Sequence, residues 1–379
     1  MQPPPLGLYI HLPWCERKCP YCDFNSHETA HIPQDQYVDA LLQDLRDDLP
    51  LVQDRTLETI FIGGGTPSLF SAESIHRLLH AIASLIDLSP TLEATMEANP
   101  GSAEADKFSG FRAAGINRLS LGIQSFDDSR LQALGRIHSS DQAHAAIEYA
   151  RAAGFDNFNI DLMHGLPGQT LASATDDLQA ALACKPPHLS WYQLTIEPNT
   201  AFYKRPPILP LEDALADIQQ SGEQLLADNG LAQYEVSAYC QKGFNCRHNL
   251  NYWSFGDYLG IGAGAHGKIS VADGHIRRYA KKRQPGNYMA AKKGGYIASQ
   301  RDLDGKEIAG EFMLNALRLN KGFTLDQFSA RTGLEATTLN PQLAALYDRG
   351  LLARCDDEVK ATALGRRFLD TVIAEFFPD

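Results

Sequence analysis

The chain has 379 residues, 44% of them hydrophobic, with a formal net charge of −12, which is enough for one large domain plus at least one smaller one, each with its own core. No apolar run approaches the roughly 18 residues of a membrane span, and Met1-Gln2-Pro3-Pro4-Pro5 lacks the basic and apolar regions of a signal peptide, so a cytoplasmic location is expected. The acidic balance points away from nucleic acid as a partner, although Arg277-Arg278 with Lys281-Lys282-Arg283 reads as a local basic patch, and seven unevenly clustered cysteines suggest metal ligands rather than disulfides.

In chain order, short apolar runs alternate with amphipathic stretches, the rhythm of a parallel sheet or barrel. Strands are expected at 6–11, 59–62, 93–97, 118–123, 157–161 and 189–194. Helices are expected at 37–49, where Val38, Leu41, Leu42 and Leu45 share a face before Pro50, and at 143–153 and 172–183. Gly115 and Gly154 sit where helix C-caps belong. A proline-rich break at 205–210 precedes a helix at 213–229 and a glycine- and aromatic-rich stretch holding His248-Asn249-Leu250-Asn251-Tyr252-Trp253 and His266. The end reads as helices at 307–319, 324–332 and 335–349, two short strands around Asp356-Asp357, and a helix at 362–377. That order resembles a winged helix.

These boundaries give a partial (β/α)6 barrel over 1–208, a middle segment over 209–304 and a winged-helix-like C-terminal domain over 305–379. The fold class is α/β with a smaller helical end. The third helix of that end carries few cations, so a packing or dimerisation module, and hence a possible homodimer, is expected there rather than a DNA reader.

Polar residues fall at the strand ends, which in a barrel share one rim. They are Cys15, Cys19 and Cys22 after the first strand, Gly63-Gly64-Gly65-Thr66 after the second, then Glu97, Gln124 and Asp161. The CxxxCxxC frame supplies three thiolates, which suits three irons of a [4Fe-4S] cubane with the fourth iron open. On spacing alone, structural zinc completed by His11 or His27 competes. Cys184, Cys240, Cys246 and Cys355 are scattered and read as bystander thiols.

The run Tyr9-Ile10-His11-Leu12-Pro13-Trp14-Cys15, the cysteine frame with Tyr21 before its last member, and the later GGGTP together resemble the radical S-adenosylmethionine (SAM) superfamily. The resemblance implies that the open iron chelates the amino and carboxylate groups of SAM, and that an electron from the cluster releases a 5′-deoxyadenosyl radical. By the same resemblance, Gly64, Gly65, Thr66 and Glu97 face the methionine amine, Arg136 pairs with the carboxylate, Gln124 and Asp161 take ribose hydroxyls, and Tyr9 and Tyr21 pack on the ligand. The glycines are expected to let backbone approach the ligand closely.

Within the superfamily the chain resembles the coproporphyrinogen-oxidase-like branch, and in it the heme-chaperone family. The oxygen-independent coproporphyrinogen III oxidases carry a further cysteine where this chain has Phe24, and the 248–253 run matches the HNxxYW element of the chaperones. The resemblance implies heme as a third ligand beside the cluster and SAM, and delivery to an acceptor hemoprotein, such as a respiratory-chain protein reached at the membrane surface. It also implies an electron donor such as flavodoxin or ferredoxin. A neutral imidazole ligates heme iron well, so His248 is the expected heme residue, with Tyr252 and Trp253 against the porphyrin, and His266 and Cys246 as weaker candidates. Coproporphyrinogen dehydrogenation is the rival activity.

Overall fold

A computed structural model describes residues 3–52, 54–101, 104–271 and 274–377; Met1 and Gln2 of the N-terminal stretch lie outside them. Among the described residues the main sheet has twelve strands. Six form its parallel heart in chain order: β1 (Leu6–Leu12), β2 (Leu57–Gly64), β3 (Leu88–Ala98), β4 (Arg118–Gln124), β5 (Phe158–His164) and β6 (His188–Gln193). Every expected strand is present; β2 and β3 run four and six residues longer than expected, and β6 is shifted by one residue. Because helices cover the outer face and the inner face is also enclosed, β1 is buried along almost its whole length, which explains its near-continuous apolar sequence.

The chain beyond 208 extends both edges of this sheet. The strands β7 (Ala232–Glu235) and β8 (Ala238–Cys240) add antiparallel beyond β6. On the other side β9 (Asp257–Ile261) pairs parallel with β1, and β10 (His266–Ser270), β11 (Ile276–Lys281) and β12 (Ile297–Asp302) follow antiparallel. The sheet ends at β12 and β7, so the barrel is open.

The helix Gln34–Asp48 buries Val38, Leu41, Leu42 and Leu45 as its periodicity predicts. Helices Ser140–Ala152 and Leu171–Ala183 also lie where expected, each opened by a capping box. Gly115 and Gly154 follow helix ends with φ of 109° and 82°, a region costly for residues with a Cβ. The sequence reading passed over the helix Ala72–Leu85, whose start is fixed by Ser71 accepting from the Ser74 N–H.

The C-terminal region has its own core around Phe312 and Phe328. Its helices Gly305–Ala316, Leu325–Thr332 and Asn340–Asp348 pack with a three-stranded sheet of Phe323–Thr324, Leu352–Cys355 and Glu358–Ala361, the order of a winged helix. Two expectations change. The helix expected at 335–349 begins as a 3-10 turn, Ala336–Leu339, and becomes α-helical only at Asn340, with Pro341 in its first turn. The helix expected at 362–377 breaks at Phe368 into Ala363–Arg367 and Leu369–Ala374, and the second piece turns Val372 and Ile373 into the core. No helix among the described residues is long and apolar enough to cross a membrane.

Two buried lysines join the β9–β11 extension to the barrel. Lys268 Nζ, on β10, donates to Asp257 Oδ1 at 2.9 Å and to the carbonyls of Phe255 and Gly256, while Arg55 holds the other Asp257 oxygen at 2.8 Å. Lys281 Nζ, on β11 and 1% exposed, donates to Asp44 Oδ1 at 2.6 Å and Asp48 Oδ2 at 2.8 Å on helix Gln34–Asp48. The hydroxyls of Tyr288 and Tyr279 donate to the same two carboxylates. Two acids thus share one ammonium. Burial pushes the Asp44 carboxyl up to about 6, with Lys281 opposing and Asp48 adding to the rise.

Replacing Lys281 with Met strands both acids in the interior. We expect a loss of about 3–5 kcal/mol of stability, read as a lower midpoint in chemical denaturation. Lys268→Met should cost less, because Arg55 still pairs with Asp257. A wild-type midpoint for Lys281→Met would contradict the importance of this junction.

Candidate cofactor site at the barrel mouth

The cysteine loop leaves β1 at Leu12. Residues Trp14–Cys15 pair in parallel with His27–Glu28, so the loop closes on itself, and the Cys22 N–H donates to the Cys19 carbonyl at 3.1 Å. It docks on the end of β2 through two backbone hydrogen bonds, Gly65 N–H donating to Leu12 O at 2.8 Å and Thr66 N–H to Trp14 O at 2.7 Å. The glycines also answer a packing demand. Gly64 has φ of 119°, and a Cβ on it would lie 2.6 Å from the His11 ring; one on Gly65 would run into the Trp14 carbonyl. The glycines make room for the cysteine loop itself.

Below the loop lies a cavity of about 260 Å³, and it gathers Cys15, Cys19, Cys22, Tyr21, Gly64, Gly65, Thr66, Glu97, Gln124, Arg136 and Asp161. Residues from the N-terminal loop and four strand ends therefore meet in one place, as the rim pattern predicts. Burial pushes the Cys15 thiol above its usual value, against hydrogen bonds with Thr66 and Ser26. A metal bound there must displace that proton.

The charges are arranged in two groups. Glu97 accepts from the Gly64 N–H at 3.1 Å, and burial followed by repulsion from Asp161 pushes its carboxyl up to about 7. Asp161 accepts from Ser120 at 2.9 Å and Asn159 at 2.7 Å. Across the cavity, Arg136 donates through Nη2 to Asn99 Oδ1 at 2.8 Å and the Gly122 carbonyl at 2.7 Å, and through Nη1 to the Cys19 sulfur at 3.7 Å. Its buried Nε has no partner among the described residues. Such an orphan donor fits an anionic ligand group. Gln124 stands in the left-handed region at φ 69° beside a register shift in β4, and the Tyr192 hydroxyl donates to its Oε1 at 2.6 Å. Backbone held this way at a rim points to function.

Sequence reading missed Asn99, Ser120, Gly122 and Tyr192, which line the same cavity. The signal was available for one strand: Ser120, Gly122 and Gln124 alternate, the period of residues facing one side of a sheet.

Of the histidines weighed beside zinc, His11 has Nδ1 on the Tyr9 hydroxyl at 3.0 Å and Nε2 on the Asn25 carbonyl at 2.9 Å, and His27 Nε2 lies 3.3 Å from Asn25 Oδ1. The three thiols line the cavity together.

Two expected residues lie elsewhere. Tyr9 lines a neighbouring cavity of about 580 Å³, which shares Phe24, Gly64 and Glu97 with the first. His248, on the short helix Arg247–Trp253, is 2% exposed, with Nδ1 on the Thr59 hydroxyl at 2.8 Å and its ring stacked on Phe61. Burial, then Arg118, lowers its pKa to about 3, so the imidazole is neutral. Its Nε2 has no partner among the described residues. It touches neither cavity, whereas Tyr252 of the same helix lines the larger one. Trp253 lies instead under Arg318, 4.4 Å from the guanidinium carbon. Cys240 and Cys246 are buried, Cys355 is exposed, and neither they nor Cys184 line either cavity.

The pattern of the radical SAM superfamily matches residues 9–181, and that of the HemN C-terminal domain matches residues 303–368. The heme chaperones HemW of Escherichia coli and Haemophilus influenzae are each 49% identical to this chain, the alignments covering 99% of both partners. The mouse mitochondrial radical S-adenosyl methionine domain-containing protein 1 is 39% identical over 75% of this chain and 66% of its own length. Among solved structures, coproporphyrinogen III oxidase from Escherichia coli superposes with a TM-score of 0.83 at 24% identity, covering 99% of this chain and 90% of the other, a likeness of fold. With half its residues shared along the full length of two such relatives, the chain belongs to the HemW family of the radical SAM superfamily.

Proposed function

We propose that the protein is a heme chaperone: it binds heme and hands it to an acceptor hemoprotein, and it carries a [4Fe-4S] cluster on Cys15, Cys19 and Cys22 with exchangeable SAM. The observation that carries the cofactor half is the single cavity in which the three thiols meet Glu97, Arg136, Gln124 and Asp161. The heme half is supported by the full-length likeness to relatives named heme chaperones. Phe24 also supports it over the oxidase reading, since it stands where the oxidases by resemblance carry a further cysteine.

When bound, the cluster supplies an electron to the sulfonium of SAM. The chain's own part is to position the ligand. Arg136, fixed by Asn99 and the Gly122 carbonyl, offers a buried cation and a spare N–H to a carboxylate. Glu97 brings negative charge to the amine, and Asp161 and Gln124, the latter clamped by Tyr192, are set for ribose hydroxyls. In this reading the acceptor is a respiratory-chain hemoprotein met at the membrane surface, and flavodoxin or ferredoxin supplies electrons.

The deciding experiment is anaerobic, on cluster-reconstituted protein. Stoichiometric heme binding followed by transfer to an apo-hemoprotein is expected. Turnover of coproporphyrinogen to protoporphyrinogen would instead make the oxidase reading the main one. Substituting Cys15, Cys19 and Cys22 together should abolish the visible iron–sulfur absorption and leave heme binding in place.

The Glu97 carboxyl, raised to about 7, gives a pH signature. SAM favours the ionised form, so binding releases a proton and affinity falls as pH drops. The loss should be roughly tenfold between pH 8 and pH 6. Titrating SAM into wild type and Glu97→Gln would check this, with the variant weak and flat across that range.

A further inference from the structure

The second cavity, about 580 Å³, is large enough for a sizeable planar ligand. It lies under the β9–β12 extension and opens beside the cysteine loop. Its walls are aromatic: Tyr252 stacks on Tyr258 with centroids 4.0 Å apart, Tyr9 stands on the β1 side, and Phe24 forms the seam with the cluster cavity. Phe24 is 65% exposed, which leaves its ring open to a flat apolar ligand.

Polar groups also line this slot, among them His11, Asn25, Glu97, His266, Lys281 and Arg283. His266, at the start of β10, is exposed, and its ring makes no hydrogen bond among the described residues. His11, the other histidine of the wall, has both ring nitrogens occupied. Arg283 borders the cavity and forms no ion pair among the described residues, whereas Lys281 is consumed by Asp44 and Asp48. Burial, then Arg278 and Arg283, lowers the His266 pKa, which favours the neutral ring that metal ligation needs.

We propose that this cavity seats heme, with the porphyrin against Phe24 and Tyr252, His266 as an axial ligand to the iron, and Arg283 paired with a propionate. This rests on the heme reading above and gives it a place. In it the HNxxYW helix contributes Tyr252 to the pocket, and His248, lying 5.0 Å behind the Tyr252 ring, is a positioning residue.

The test is a titration of full-length, cluster-reconstituted protein with ferric heme, followed through the Soret band and ferric-heme EPR. His266→Ala should lose the histidine-ligated signature and bind at least about tenfold more weakly, and added imidazole should restore the signature. His248→Ala should bind more weakly without rescue by imidazole. If His266→Ala keeps wild-type affinity and spectrum, or if its loss resists imidazole, this assignment is overturned while the chaperone reading stands. If wild type binds no heme, the chaperone reading itself falls.

Discussion

A buried ammonium is tolerable only beside an acid, and this fold buries two, Lys268 and Lys281, each with its acids, toward one edge of its sheet. Lys281 is satisfied only when β11 lies against helix Gln34–Asp48, and Lys268 only when β10 lies beside Asp257. Replacing such pairs with hydrocarbon is often neutral or favourable, so their value lies in specifying one arrangement over others. The arrangement they select puts His266, at the head of β10, and Arg283, two residues past β11, opposite the cysteine loop. The position of the second cavity follows from where those ammonium groups find their acids.

The mouth of the barrel is held by a different device. The cysteine loop is long and largely irregular, yet its end is fixed by two backbone hydrogen bonds to Gly65 and Thr66, with glycines removing the bulk that would keep the strands apart. Beneath it, burial and repulsion from Asp161 raise the Glu97 carboxyl against the Gly64 hydrogen bond, while Ser120, Asn159, Ser190 and Arg118 favour ionised Asp161. A cationic ligand beside the two carboxylates would favour their ionised forms.

Much of this was legible in the sequence, for a physical reason. Parallel strands covered on both faces are written as continuous apolar runs, so β1 to β6 announced themselves, and polar residues at their ends could only be rim residues. Where burial and polarity part company, reading fails. Lys281 looked like one member of a surface basic patch with Arg277, Arg278, Lys282 and Arg283, yet it is 1% exposed. The strands β10 to β12 carry charged and small residues, with Lys268 and Lys281 serving ion pairs, and no long apolar run marks them. His248 shows the other gap: a motif names residue types, while the side of the sheet on which each one falls depends on Thr59 and Phe61, far away in sequence.

The position of β1 has a consequence for how the protein is made. It precedes β2 and β9 in sequence and leads into the cysteine loop, yet it lies in the middle of the sheet between them. One of its edges therefore waits, unpaired and apolar, until residues 257–261 have emerged. Contacts so distant in sequence form late and slowly, and an open edge of this kind invites pairing with other chains. The strand that leads into the cysteine loop is therefore fully paired only once β9 has docked beside it.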